Sequence, residues 1–402
     1  MQALAQLGLQ GFPMAIDSKN PLTVNGSLSS SDRALTAGAL RKYAPSAFYN
    51  LKPSNTLKLR AAMASASANC NVLCIGPSTT AGESTGQGTT QAVNSWVAQL
   101  ADRLSARGIP AGANNRFGCM SSLWSYLIAA DGRVSATGGV SQGGTVTAGG
   151  NSINIPVGGT FSFTPQKPVD TFIVTTYATA ASRSFRLTAG TGTPVAVSQA
   201  VAGVITNTTV TADALGTKTL LLDNVVGGTV VIVGVRAFDN SRREISLLNW
   251  GVSGARADQL IENTDTIAGR LAMITAFAAP GAILDDLAIN DWRQGIAVAT
   301  TQASITTLAN RVISAGGNPI LTTPLFDGGT AGTTAQQDLY AAMTFDVADT
   351  LDLPVIDVRS SWVSYAAANG LSLYSDTVHP LAKGYAMKAA LMTEFFSKLR
   401  GM

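Results

Sequence analysis

Two changes of grammar along the chain leave few folds open to it. From about residue 56 to 131, and again from about 240 to 402, short apolar runs of buried-strand type alternate with stretches whose apolar residues recur at helical spacing. Between them, from about Gly132 to Asp239, short β-branched segments follow one another between Gly, Pro and Asn turns, and no helix is legible. Strands that alternate with helices form a parallel sheet covered on both faces. Closely spaced strands between turns form a β-sandwich. The expected fold class is therefore α/β, a three-layer domain on a parallel sheet, interrupted after its first βα unit by an inserted β-sandwich domain.

In detail, a helix is expected near 55–66, a strand at 71–76, and a helix at about 91–107 with Val93, Trp96, Val97, Leu100 and Leu104 on one face. The β-rich block should hold strands at 153–157, 160–163, 171–177, 184–187, 217–222 and 229–238. A strand at 244–250 reopens the α/β pattern. It continues through a helix near 256–277, a strand at 282–289, a helix at 300–315, a strand at 319–323, a helix at 335–350, a strand at 354–358 and a final helix at 381–399. Residues 1–55 mix Pro, Gly, Ser and Asn with short apolar pieces and read as an N-terminal arm or docking segment. The expected domains are thus 1–55, the first part of the α/β domain at 56–131, the insert at 132–239 and the second part at 240–402.

Composition removes several function classes. With 27 basic and 24 acidic residues the net charge is +3, and charged residues are only 13% of the chain, too few and too evenly mixed for an electrostatic nucleic-acid binder. The glycine-rich stretch from Gly82 to Gly88 lacks the Lys-Ser/Thr of a phosphate loop, which argues against a nucleotide site. Cys70, Cys74 and Cys119 are an odd number and make no disulfide framework. Residues 1–14 lack the basic start and apolar segment of a signal peptide, and no uncharged apolar run is long enough to span a bilayer. A protein of this kind that acts outside a cell leaves by another route, such as phage lysis.

His379 is the only histidine in the chain. It cannot be part of a multi-histidine metal site, no metal or other cofactor is expected, and any imidazole base at neutral pH has to be this residue. Asp376, three residues before it on a tight loop, is spaced to reach the Nδ1 proton and turn Nε2 outward as a base; a plain Asp-capped turn has the same spacing. Ligands of a doubly wound sheet bind beyond the carboxyl ends of its strands. Ser78, Gly254 and Asn290 all follow expected strands there. A serine, a backbone glycine, an amide and an Asp/His pair are the parts of an acyl-transfer site: nucleophile, oxyanion donors, base and orienting carboxylate.

At these residues the chain resembles the SGNH (GDSL-like) serine hydrolase family. Ser78 matches the nucleophile of the first family block, Gly254 the glycine of the second, Asn290 the asparagine of the third, and Asp376 with His379 the Asp-x-x-His pair of the last. The resemblance implies the SGNH, flavodoxin-like arrangement of the sheet. It also implies attack by Ser78 on an ester carbonyl, with His379 as base, Asp376 orienting it, and an oxyanion hole of the Ser78 and Gly254 N–H groups and the Asn290 amide. The sequence departs from the family in two places. Gly76-Pro77-Ser78 stands where Gly-Asp-Ser is usual, removing an acidic residue, and Ala288 stands where the third block has glycine.

Family members include lipases, thioesterases, arylesterases and carbohydrate O-deacetylases, and the inserted sandwich resembles carbohydrate-recognising modules that accompany the deacetylases. The layout is similar to SGNH proteins of phages and prophages. The expectation is a serine esterase that removes O-acetyl groups from a polysaccharide, acting either extracellularly or on a virion, in the second case as a component of a phage particle. It should have an acylated carbohydrate as partner, no nucleic acid and no membrane insertion. Trp292 or Trp362 could offer an aromatic face to a sugar ring, while Trp250 reads as core. The alternatives are a broad carboxylesterase or lipase, and a non-catalytic carbohydrate-binding virion protein on the same fold. An imidazole base of ordinary pKa predicts a rate that falls below about pH 6.5.

Overall fold

The computed structural model describes residues 47–402 except 66, 87–88, 118–130, 148–149, 262–268, 278, 330–332 and 402. Within residues 1–46, a separate unit, it describes one antiparallel pair, β1 (Met14–Ala15) and β2 (Thr23–Val24). Cys119 lies outside the described residues; Cys70 and Cys74 are buried free thiols.

The second unit begins with β3 (Phe48–Tyr49), a short helical stretch ending in the helix Leu57–Met63, and β4 (Cys70–Gly76). The expected helix at 91–107 is two, Thr89–Asn94 and Trp96–Ala106, because Ser95 turns its hydroxyl to accept from the Ala98 N–H and caps the second. Then come β5 (Ala111–Gly112) and β6 (Asn115–Phe117). The β-rich block contributes β7 (Val134–Thr137), β8 (Ser141–Thr147), β9 (Gly150–Ile155), β10 (Thr160–Phe163), β11 (Val169–Ala178) and β12 (Arg183–Ala189). It continues with β13 (Val195–Gln199), β14 (Val204–Gly216), β15 (Leu220–Val226) and β16 (Val230–Phe238). After β17 (Ile245–Gly251), helices alternate with β18 (Gly281–Leu284), β19 (Asn318–Thr322) and β20 (Val355–Ile356), and the helix Ala382–Gly401 closes the chain. Of the helix expected at 256–277, the stretches Ala257–Ile261 and Arg270–Phe277 are helical, and 262–268 fall outside the described residues.

Seven strands form one sheet in the order β3-β20-β19-β18-β4-β17-β5. All are parallel except β3, which pairs antiparallel with β20 at the edge. Phe48 and Tyr49, read from sequence as part of an irregular arm, are therefore a strand of the main sheet. β17 runs beside β4 in register over its whole length, Ile245 opposite Cys70 and Gly251 opposite Gly76. β17 and β18 are buried along their whole length, as strands covered on both faces must be. β18 ends at Leu284, five residues before the expected strand end, where Asp285 and Asp286 turn their carboxylates into a buried polar network.

The β-rich residues form two antiparallel sheets, β13-β12-β15-β10-β7 and β14-β11-β16-β9-β8. Phe161, Phe163, Leu187 and Leu222 from the first share a core with Ile155, Phe172, Val174 and Ile232 from the second. β6, which precedes the expected boundary at 132, adds to the second sheet by pairing with β16. The outer face of these two strands sends Phe117 and Val233 into the core of the α/β sheet. There the rings of Phe117, Trp250 and Phe277 meet within 5.2–5.8 Å of one another. Gly234 is required at this contact, since a Cβ would sit 2.3 Å from the Phe117 ring. Among the described residues no helix is long and apolar enough to cross a membrane.

Candidate active site

Ser78 opens the short helix Ser78–Ala81 directly beyond the carboxyl end of β4. The turn is tight: a Cβ on Gly76 would lie 2.0 Å from the Thr80 hydroxyl, so the strand can pass under the helix only as glycine. Pro77 fits here because the first helical turn needs its carbonyl, which accepts from Thr80 and Ala81 N–H at 3.0 and 3.1 Å, and does not need an N–H. The acidic residue absent from position 77 has a counterpart elsewhere. Thr79 donates to Asp286 at 2.5 Å and Thr80 to Asp285 at 2.7 Å, which ties the helix down from below.

That support is a buried network. Asp285 also accepts from Trp96 Nε1 (2.9 Å), the Thr322 hydroxyl (2.8 Å) and Lys388 Nζ (2.8 Å), while Asp286 accepts from the Leu325 N–H (2.9 Å). Asp285, Asp286 and Lys388 are all buried. Burial pushes the Asp286 carboxyl well above the usual carboxylate range; Lys388 opposes that rise and Asp285 adds to it. Two adjacent acids at the end of an apolar run and a lysine inside the last helix were the available signals in the sequence, and their pairing across 103 residues was not legible there.

The loop before the last helix brings its ring to Ser78. Ser78 Oγ and His379 Nε2 are 2.9 Å apart, and His379 Nδ1 is 2.8 Å from Asp376 Oδ2. The other oxygen, Asp376 Oδ1, accepts the Val378 and His379 N–H groups, both at 2.7 Å. The turn cap and the orienting carboxylate, alternatives on sequence spacing, are thus two oxygens of one side chain. Burial alone would raise the Asp376 carboxyl, but the hydrogen bonds from His379 and Val378 outweigh it and hold it below its usual value. Tyr365 steadies the loop by donating to the Asp376 carbonyl at 3.2 Å.

Asn290 lies on the helix Ile289–Arg293, and its Nδ2 donates to the Ala255 carbonyl at 2.9 Å. That leaves the second amide hydrogen for another acceptor, beside the loop that carries Gly254. Asp291 anchors the same corner, accepting from the Ala257 N–H (3.0 Å) and the Thr301 hydroxyl (2.8 Å). Trp292 is not available as a sugar platform: it is buried, edge-on to Tyr340, because its helix turns it toward the core. Trp362 is likewise buried, against Tyr374, and Trp250 is core as expected. Among the described residues no group of three or more His, Cys, Asp or Glu side chains could hold a metal ion.

A further residue, Glu83, borders the site without belonging to any motif of the sequence. Glu83 directly follows Gly82, and its Oε2 stands 3.3 Å from His379 Nε2. Ser253, on the Gly254 loop, donates to its two oxygens at 2.7 and 2.8 Å, and Tyr385 donates to its backbone carbonyl at 3.1 Å. Burial would raise the Glu83 carboxyl, but hydrogen bonds from His379 and Ser253 outweigh it and keep it below its usual value. For His379 burial works toward a lower pKa, but Glu83 and Asp376 on its two nitrogens prevail and raise it.

A hydroxyl, an imidazole and a carboxylate in line at the carboxyl edge of a parallel sheet are the parts of a serine hydrolase, and a family match narrows that class to the carboxylic ester hydrolases. Within it, residues 235–387 match the model of the GDSL-like lipase/acylhydrolase family. The matched stretch holds Gly254, Asn290, Asp376 and His379, while Ser78 precedes it on the far side of the β-rich residues. No curated protein sequence matches the chain. Among solved structures it is similar to a peptidoglycan O-acetylesterase, with a TM-score of 0.69 at 16% identity over 89% of this chain and 100% of that one. At that identity the likeness is one of fold, and it spans too large a share of the chain to leave out the β-rich residues. The chain also matches a Bacillus subtilis protein, YxiM (TM-score 0.36, 15% identity, 72% of this chain and 94% of that one). A further match is to a catalytic mutant of Axe2, an acetylxylan esterase from Geobacillus stearothermophilus (0.31, 19%, 38% and 72%).

Proposed function

We propose that the protein is a serine esterase that removes O-acetyl groups from a polysaccharide. The observation that carries this is the continuous line from Ser78 Oγ to His379 Nε2 to Asp376 Oδ2, at 2.9 and 2.8 Å. In this reading Ser78 attacks the acetyl carbonyl as His379 takes its proton, the Ser78 and Gly254 N–H groups with Asn290 receive the oxyanion, and His379 returns the proton to the leaving alcohol. Asp376 holds the ring in the tautomer that makes Nε2 the base. Water then releases acetate by the same steps.

Polysaccharide as the substrate draws support from the fold likeness to a peptidoglycan O-acetylesterase. We read residues 132–239 as an inserted β-sandwich of carbohydrate-binding type, between hydrolase parts at 56–131 and 240–402, with 1–55 as an arm. The setting we propose is extracellular or on a virion, in keeping with a weakly charged chain of 40 glycines.

The test is acetate release from an acetylated polysaccharide and from an aryl acetate by the native chain, Ser78→Ala and His379→Ala. Turnover on both substrates in the native chain and its loss in both variants is the expected result, with the polymer preferred. Polymer binding with no serine-dependent turnover would overturn the esterase, and an undiminished rate on longer acyl chains would turn the deacetylase into a general carboxylesterase.

A further inference from the structure

The proton that His379 takes from Ser78 is given back to the alcohol oxygen that leaves, so that oxygen must come within hydrogen-bond reach of Nε2. Glu83 Oε2 already stands 3.3 Å from the same nitrogen, which makes the Glu83 carboxylate a neighbour of the leaving oxygen. Two further facts give it a role toward substrate. Its side chain is 25% exposed, so it borders open space rather than packing into the core. And of the three groups that can donate to it, Ser253, His379 and Ser78, the last two are turned to each other while His379 accepts the Ser78 proton, so acceptor capacity remains on its oxygens.

An ionised carboxylate only accepts hydrogen bonds. Beside a leaving oxygen it repels an alcohol that departs with negative charge and has nothing to donate. It favours one with a second hydroxyl on the adjacent carbon, because in a 1,2-diol the two oxygens lie about one hydrogen-bond length apart, the same spacing as between Nε2 and Oε2. We propose that Glu83 is a specificity residue that reads the alcohol half of the ester, accepting a hydrogen bond from the hydroxyl vicinal to the acylated one. This rests on the serine esterase reading and narrows its substrate to esters of vicinal polyols, the arrangement of sugar hydroxyls. Bond changes stay those of ester hydrolysis: the Ser78 Oγ–carbonyl carbon bond forms, the bond from that carbon to the alcohol oxygen breaks, the proton passes from Ser78 through His379 to the alcohol, and water then releases the acyl group from Ser78 as the acid. Glu83 takes no proton.

The test compares ethylene glycol monoacetate with ethyl acetate, which share the acyl group and carbon skeleton and differ by the vicinal hydroxyl. The native enzyme should favour the glycol ester in kcat/KM by about 10- to 100-fold, the range of a hydrogen bond to a charged group. Glu83→Ala should bring the ratio near one, and Glu83→Gln, which keeps an acceptor without the charge, should fall between. The ratio is internal to each variant, so partial misfolding lowers both rates and leaves it unchanged. A second readout is the acid limb of kcat/KM, which should move to lower pH in Glu83→Ala, leaving Asp376 as the one carboxylate among the described residues that faces the imidazole. A native ratio near one, or equal losses on both esters in Glu83→Ala, would overturn the assignment while leaving the esterase intact. No serine-dependent turnover of either ester would overturn the esterase reading and this one with it.

Discussion

His379 has a carboxylate against each ring nitrogen, and this sets its working range. Both carboxylates favour the charged ring, so its pKa is raised above 6.5. In the proposed mechanism the base must be neutral to take the Ser78 proton, so kcat/KM should fall as pH drops through a value higher than the limb expected of an unperturbed ring. Asp376→Asn should shift that limb downward as well as slow the reaction; a pH–rate profile of the native chain with its midpoint below 6.5 would contradict the geometry. What was legible at this scale was what is local. Asp376 and His379 are three residues apart, and spacing alone brings carboxylate to ring. Glu83 was missed because the partners that give it meaning are far off in sequence, Ser253 by 170 residues and His379 by nearly 300.

For the elements, the short helix that carries Ser78 has only one turn of its own hydrogen bonds and depends on what lies beneath it. Thr79 and Thr80 bind it to two buried acids, and Lys388 from the last helix balances Asp285. Removing one partner of a fully buried ion pair leaves the other charged and unsolvated. Lys388→Met should therefore destabilise the protein by about 3–5 kcal/mol in urea unfolding, and adding Asp285→Asn should recover part of that. A loss under about 1 kcal/mol, the size of an exposed pair, would mean that Lys388 does not hold the network. The same acids explain why the strand at 282–289 was read too long. The run Ala282 to Ile289 is apolar except for Asp285 and Asp286, and only tertiary partners show that the strand stops before them. Ser95 is the parallel case for the helix at 91–107, where apolar spacing continues unbroken across a residue that caps a new helix.

On the scale of the whole molecule, the change of grammar near 132 and 239 marked where strand composition changes, and the structure draws a different line between the two cores. β6 belongs to the sheet of the β-rich residues, and Phe117 and Val233 belong to the core of the α/β sheet. Nothing in local pattern distinguishes a β16 residue that faces one core from its neighbour that faces the other. Excising 132–239 would therefore uncover Phe117, Trp250 and Phe277 as well as remove a module. The expected outcome is an insoluble or strongly destabilised chain, read by expression yield and thermal unfolding. A shortened chain that stays soluble with a native-like melting temperature would show that the contact contributes little.

The pairing of β6 with β16 also bears on how the chain reaches its native state. At the neck of the β-rich residues Ala237 N–H donates to the Asn114 carbonyl at 2.7 Å, so the point of departure and the point of return are one hydrogen bond apart. A disordered excursion of that length would cost about 4 kcal/mol in loop closure before β17 could find its place beside β4. If the two antiparallel sheets form first, that entropy has already been lost within them, and the chain on either side meets as it would across a hairpin turn.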